Sequence, residues 1–240
     1  MSNKLKIEVW SDVMCPFCYI GKRMFEQALE KFPYNKDIEL EWKAFQLNPS
    51  IPDTPPKENI LEYFSREKGV SLQEAENMHQ RVEQMASSVG LTYHTRKIVI
   101  ANSFNAHRLS HFAKTKSLEI QDQVEEALFN AYFTEGKNIN DIPTLLEIGC
   151  SAGLDKNELT QLLNTEEFAY DVKQDIQEAS NIGVSGVPFF LFNRKYAISG
   201  AQPPEVFLQT LEKAYESWKY ENSKIEIIKG DSCSIDGNCE

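Results

Sequence analysis

Near the start of the chain the apolar positions change period in quick succession. Leu5, Ile7 and Val9 alternate with Lys6 and Glu8, the period-two pattern of a strand. Ile20, Met24, Phe25, Ala28, Leu29 and Phe32 then recur three and four apart, which predicts a helix that stops at Pro33. Ile38, Leu40, Trp42 and Ala44 alternate again as a second strand. Asn48 to Pro56 holds Pro49, Pro52, Pro55 and Pro56 and reads as an extended exit loop.

From about residue 57 to 181 the pattern is almost wholly helical. Ser71-Leu72-Gln73-Glu74 is a capping-box start. Asn102–Lys116, Ile120–Glu135, Ile142–Ala152, Lys156–Leu163 and Glu166–Asn181 each carry helical spacing, with Gly136 and Gly183 placed as stops and Pro143 in a first turn. Strand character returns at Val187–Phe192. Asn193-Arg194-Lys195 turns the chain back into Tyr196–Ser199, and Pro203-Pro204 opens a last helix to about Tyr220. Gly230 to Glu240 is small and polar and reads as a flexible tail.

This order, βαβ–helices–α–ββ–α, is that of an α/β, thioredoxin-like fold with a large all-helical insertion. The expected division is a first thioredoxin-like part at 1–55, the insertion at 56–167, a second thioredoxin-like part at 168–222 and the tail at 223–240.

Composition narrows the partners. The chain has 240 residues, 41% apolar and 25% charged, with a net charge of −11. It is long enough to bury a core without a disulfide or metal. Its acidity disfavours nucleic acid and anionic membranes, and no apolar run approaches the roughly 18 residues of a membrane span. Lys4 and Lys6 lead into Ile7-Glu8-Val9-Trp10-Ser11-Asp12, which leaves no apolar signal core, so a cytoplasmic location is expected. Cys15, Cys18, Cys150, Cys233 and Cys239 are not a disulfide scaffold, and in the cytosol paired cysteines are usually catalytic, sensing or metal-binding.

Cys15-Pro16-Phe17-Cys18 follows a strand directly and opens a helix, the context in which a Cys-x-x-Cys reads as redox chemistry. A helix N-terminus carries about half a positive charge and unpaired N–H groups that stabilise a thiolate. Cys15, ahead of the helix and facing solvent, is the expected nucleophile. Cys18, one turn in, is the resolving thiol, and Pro16 suits the first turn. A zinc half-site is the alternative, but a structural site needs two further ligands, and His107 with His111 is an i, i+4 pair of histidines. No metal or bound cofactor is expected. Val187-Pro188 enters a strand with a residue that cannot donate to its ladder, so the alternatives are an edge-strand proline or a cis-proline loop held against the Cys-x-x-Cys.

Trp10–Gly21, Asn102–Leu109 and Gly183–Phe190 together resemble the cytosolic FrnE-like branch of the DsbA family, in order and over nearly the whole chain. The dipeptide Pro16-Phe17 departs from the Pro-Trp frequent in that branch, and Val187 stands at a variable position. Both are places that tune potential and substrate choice. The resemblance implies that the helix carrying His107 and Arg108 faces the dithiol, where a cation near Cys15 would favour its thiolate. The alternative is a packed helix residue and a surface charge. It also implies a second, C-terminal redox pair, here Cys233 and Cys239; incidental thiols or a metal-capturing tail are the alternatives. Cys150, after Leu145, Leu146 and Ile148, reads as a buried, inert thiol.

The function implied is exchange of the Cys15–Cys18 dithiol with protein or low-molecular-weight disulfides, recycled by a thiol reductant or oxidant. Two rivals are a glutathione-dependent isomerase or transferase of the 2-hydroxychromene-2-carboxylate isomerase or kappa-class type, against which Cys18 argues, and a non-catalytic peptide-binding or holdase module.

Overall fold

The computed structural model describes residues 4–222. Strand β1 (Leu5–Ser11) leads through a short loop into α1 (Pro16–Lys31), and β2 (Ile38–Ala44) returns parallel to β1 with Val9 opposite Trp42. Only helices follow until the hairpin: α2 (Ile60–Lys68), α3 (Leu72–Ser88), α4 (Phe104–Lys116), α5 (Leu118–Asn130), α6 (Ile142–Ser151), α7 (Lys156–Leu163) and α8 (Ala169–Asn181). β3 (Phe189–Phe192) and β4 (Tyr196–Ser199) close the sheet, and α9 (Pro204–Glu221) packs back onto it. The sheet order is β2-β1-β3-β4, with β3 antiparallel to β1 and to β4.

Local sequence accounts for most boundaries. Ser71 and Asn59 each close a reciprocal capping box, with Glu74 and Glu62 respectively. Gly136 and Gly183 stand at φ of 70° and 81°, the left-handed region a helix stop requires. Two expected helices differ from the pattern. The segment expected at Ile120–Glu135 ends its regular part at Asn130 and finishes in one π-type turn, Ala131–Glu135, which buries both Tyr132 and Phe133. The helix expected from Glu166 starts at Ala169, because Phe168 is left-handed at φ 61° and breaks the run.

β1 lies between β2 and β3, which pair both of its edges, and the elements packed above and below the sheet cover both of its faces. Leu5, Ile7 and Val9 share one core with Phe25 of α1 and with Phe207 and Leu211 of α9. On the other face Trp10 packs with Ala179 and Val184 at the end of α8. The polar face suggested by Lys6 and Glu8 is therefore not solvated throughout: Glu8 is buried and pairs with Arg194. α4 and α5 pack on the β2 side, where the Gln121 side chain bonds both the N–H and the carbonyl of Trp42.

Candidate active site

The β1–α1 loop is built around Asp12. Its fully buried carboxylate accepts the N–H of Met14 at 3.1 Å and that of Leu47 at 2.7 Å, tying the loop to the chain that leaves β2. The Cys15 N–H donates to the Asp12 carbonyl at 2.9 Å, and Cys15 takes the N-cap position of α1 with an extended backbone, ahead of Pro16 in the first turn. Cys18 lies one turn on with its N–H bonded to the Cys15 carbonyl at 3.0 Å. Both cysteines are free thiols.

The Val187–Pro188 peptide bond is cis, as the strand-entering proline suggested, and the Cys15 thiol donates to the Val187 carbonyl at 3.4 Å. Gly21 makes this approach possible. A Cβ there would stand 3.0 Å from Pro188 Cγ and 3.5 Å from the Phe190 ring. The expectation that Cys15 faces solvent is corrected: it is only 4% exposed, while Phe17 is 39% exposed. Cys18 is fully buried. That burial, with Cys15 beside it, pushes its thiol well above the ordinary value, although the Ser11 hydroxyl and the Asp12 backbone would bond its ionised form.

The insertion reaches this loop at two points. Tyr93, between α3 and α4, donates its hydroxyl to the Pro16 carbonyl at 2.8 Å and stacks between Tyr19 and Phe133. Burial raises its phenol far above the usual range, and Tyr19 and both active-site sulfurs add to this. From α4, His107 brings Nε2 to 3.6 Å from Asp12 Oδ1. Burial opposes the charged imidazole, but Asp12, Glu125 and the Phe45 backbone carry its pKa above the ordinary value. Glu125, on α5, is driven upward by burial and restrained by His107 and Ser110.

Arg108 does not join the site. Its guanidinium turns away and donates to the Glu167 carbonyl at 2.8 Å, the Leu162 carbonyl at 2.6 Å, the Thr165 carbonyl and Asn105 Oδ1. It is 3% exposed, neither beside the dithiol nor a surface charge. Cys150 is corrected as well. It is exposed, because the buried stripe of α6 runs through Leu145, Ile148 and Gly149 and passes it by. Cys233 and Cys239 lie outside the described residues. Among those residues no group of three or more His, Cys, Asp or Glu side chains could hold a metal ion, and no helix is long and apolar enough to cross a membrane.

The sequence reading assigned no role to Ser11, Asp12, Tyr93 or Glu125. Asp12 had a local signal, a short acceptor between a strand and a Cys-x-x-Cys. Tyr93 and Glu125 had none, since each reaches the site only through the packing of the insertion.

Comparison with known proteins bears on this arrangement. The family model of the DsbA-like thioredoxin domain matches residues 6–212. An uncharacterized protein of Bacillus subtilis (strain 168), YwbO, is 28% identical over 205 residues, spanning 84% of this chain and 92% of that protein. The crystal structure of the probable DsbA oxidoreductase SCO1869 from Streptomyces coelicolor superimposes with a TM-score of 0.83 at 33% identity, covering 98% of each chain. The cytosolic disulfide reductase DsbM from Pseudomonas aeruginosa, also solved with GSH, shares the fold at a TM-score of 0.60 and 15% identity, over 89% of this chain and 100% of that one.

Proposed function

The chain belongs to the DsbA-like thioredoxin domain family, and from that premise we propose that it is a thiol–disulfide oxidoreductase working through Cys15 and Cys18. The observation that carries this reading is the Cys15 thiol at the N-cap of α1, bonded to the Val187 carbonyl beside a cis-proline, with a buried partner thiol one turn away. The Cys15 thiolate attacks a substrate disulfide, forming a mixed disulfide and expelling the first substrate thiolate. Cys18 then attacks Cys15 Sγ and expels the second. The substrate gains two electrons, the pair becomes the Cys15–Cys18 disulfide, and a thiol reductant restores it. The reverse sequence oxidises a dithiol.

The substrates are protein disulfides or low-molecular-weight disulfides. The backbone beside Pro188 suits an extended peptide, and a GSH-bound fold relative makes a small thiol a reasonable recycling partner. A cytoplasmic setting would supply such a reductant. Cys18 disfavours a glutathione isomerase or transferase, which would not require a second thiol at this position.

Insulin reduction in the presence of glutathione tests the proposal. Wild type accelerates precipitation of the insulin B chain, and Cys15→Ser abolishes the acceleration. Equal rates for the two proteins refute the dithiol mechanism and favour a peptide-binding module.

A further inference from the structure

An ionised Cys15 needs a donor that its thiol form does not use. As a thiol it gives its own proton to the Val187 carbonyl at 3.4 Å and makes no hydrogen bond to the start of α1. Loss of that proton turns the sulfur into an acceptor at the N-cap, where a side chain takes the N–H of the second or third helical residue. Pro16, the first helical residue, has no N–H, and that of Cys18, the third, is bonded to the Cys15 carbonyl at 3.0 Å. The second residue, Phe17, has the N–H that is left for the sulfur. This N–H belongs to the same peptide unit as the Pro16 carbonyl, and that carbonyl accepts the Tyr93 hydroxyl at 2.8 Å.

The surroundings hold Tyr93 to that carbonyl. Its buried ring is the third in a column of four. Phe129 of α5 stacks on Tyr19 at 5.0 Å, Tyr19 on Tyr93 at 6.1 Å and Tyr93 on Phe133 at 4.5 Å, with interplanar angles of 9°, 18° and 18°. Phe133 lies in the π-type turn after α5, and its carbonyl accepts the N–H of His94, the residue after Tyr93, at 2.8 Å. Tyr19 belongs to α1 itself, and its hydroxyl donates to Glu126 of α5 at 2.5 Å. The insertion thus grips the first turns of α1 through the ring column and delivers one hydroxyl to the peptide that follows Cys15. Burial keeps that phenol protonated, so the donor is present at any pH at which the dithiol works.

We propose that Tyr93 is a positioning residue for the Cys15 thiolate: its hydroxyl, donated to the Pro16 carbonyl, polarises the Pro16–Phe17 peptide so that the Phe17 N–H binds the ionised sulfur more strongly. This rests on the dithiol reading above. Hydrogen bonds in series reinforce one another by roughly 10–30% per bond. A bond to a charged acceptor is about twice as strong as a neutral one, so the gain goes to the thiolate and not to the thiol. Favouring the thiolate stabilises the dithiol against the disulfide, so Tyr93 makes the oxidised pair a stronger oxidant. The titratable groups around the sulfur are Cys18, Tyr93 and, within the loop, Asp12 with His107 3.6 Å from it; Tyr19 and Arg23 face Tyr93 from α1. Tyr93 acts on Cys15 through the backbone and touches neither substrate nor the reacting sulfurs.

The test uses the full chain with Cys150→Ser, Cys233→Ser and Cys239→Ser, alone and with Tyr93→Phe, which keeps the ring in its column and removes only the hydroxyl. Iodoacetamide labelling of Cys15 from pH 4 to 10, read by mass spectrometry, gives the pH midpoint of its reactivity. Tyr93→Phe is expected to raise that midpoint by about 0.5 unit, a threefold change in the thiolate equilibrium. In glutathione buffers the dithiol and oxidised glutathione exchange for the Cys15–Cys18 disulfide and two reduced glutathiones. One pH unit above the wild-type midpoint, the disulfide-to-dithiol ratio of Tyr93→Phe should be about threefold that of wild type. The Phe17 amide proton, followed by NMR of the reduced protein, should move upfield as its peptide loses polarisation. A role confined to packing would lower the urea midpoint and leave these three readings in place. A Tyr93→Phe labelling midpoint less than about 0.2 unit above wild type, or an unchanged glutathione ratio, overturns the inference. If Tyr93→Phe does not fold cooperatively, 3-fluorotyrosine at position 93 decides it, as a stronger donor in the same stack: a midpoint below wild type supports the inference, and one equal or higher overturns it. A wild-type chain that forms no Cys15–Cys18 disulfide in any glutathione buffer overturns the dithiol reading and this inference with it, a result distinct from an unchanged midpoint.

Discussion

Arg108 separates a residue that shapes the dithiol from one that holds the scaffold. Replacing Arg108 with Met keeps an unbranched chain of similar length and removes every donor. The carbonyls of Glu167, Leu162 and Thr165, which cluster where α7 gives way to α8, lose their charged partner. Hydrogen bonds to charged groups contribute about 1.5–3 kcal/mol each. They act as one unit here, and part of the freed turn can reach water, so about 3–5 kcal/mol of stability should be lost. For a chain of this length that corresponds to a fall in Tm of roughly 6–20 °C. It leaves most molecules folded at 25 °C if the parent stability is above roughly 7 kcal/mol, within the usual range of about 5–15 kcal/mol. Urea unfolding gives the free energy, and iodoacetamide labelling of Cys15, quantified by mass spectrometry in the folded protein, gives the reactivity. Labelling should stay within about twofold of wild type, the difference expected when no charge near the sulfur has changed. Arg108→Lys should recover a minor part of the stability, since an ammonium cannot span carbonyls arranged for a guanidinium fork. A stability loss below about 1 kcal/mol, or a large drop in Cys15 labelling with the fold intact, refutes this account.

Three further outcomes follow from other contacts. In the reduced native protein at pH 7–8, iodoacetamide should label Cys15 and the exposed Cys150 while Cys18 stays unmodified, because burial holds its thiol protonated there; peptide mapping that finds Cys18 labelled as fast as Cys15 contradicts this. Burial works against ionised Asp175, yet His111, Lys43 and the Ala44 N–H hold its carboxyl below the ordinary range, so its contribution is present above pH about 4 and is lost as pH falls through the folded value. Asp175→Asn should therefore destabilise by about 3 kcal/mol at pH 7 and by clearly less near pH 3, measured as the difference in urea midpoints; a gap that does not change with pH rejects the pairing. Gly136→Ala places a Cβ 2.6 Å from the Lys97 carbonyl oxygen at a backbone φ of 70°. It should cost about 2–4 kcal/mol, and a melting temperature equal to wild type would show that the loops give way freely.

What the sequence determined by itself was whatever depends on residues close together in the chain. The strand before Cys15, Pro16 in the first turn, the capping box at Ser71, the stops at Gly136 and Gly183 and the proline opening β3 each express a backbone preference settled within a few positions. The order of these elements was enough for the fold class. Only the tertiary structure decided which groups stand around the sulfurs. Periodicity identifies an apolar face but not what covers it, so it could not show that Glu8 is buried, that Cys15 is covered or that Cys150 is left outside. His107 and Arg108 are neighbours on one helix, yet their side chains leave it about 100° apart, one toward Asp12 and the other toward the α7–α8 turn. Tyr93 comes to the dithiol loop, and Glu125 to the neighbourhood of His107, from within the insertion. Their place there depends on how whole helices pack against the sheet, through contacts between residues far apart in the chain that no local pattern encodes.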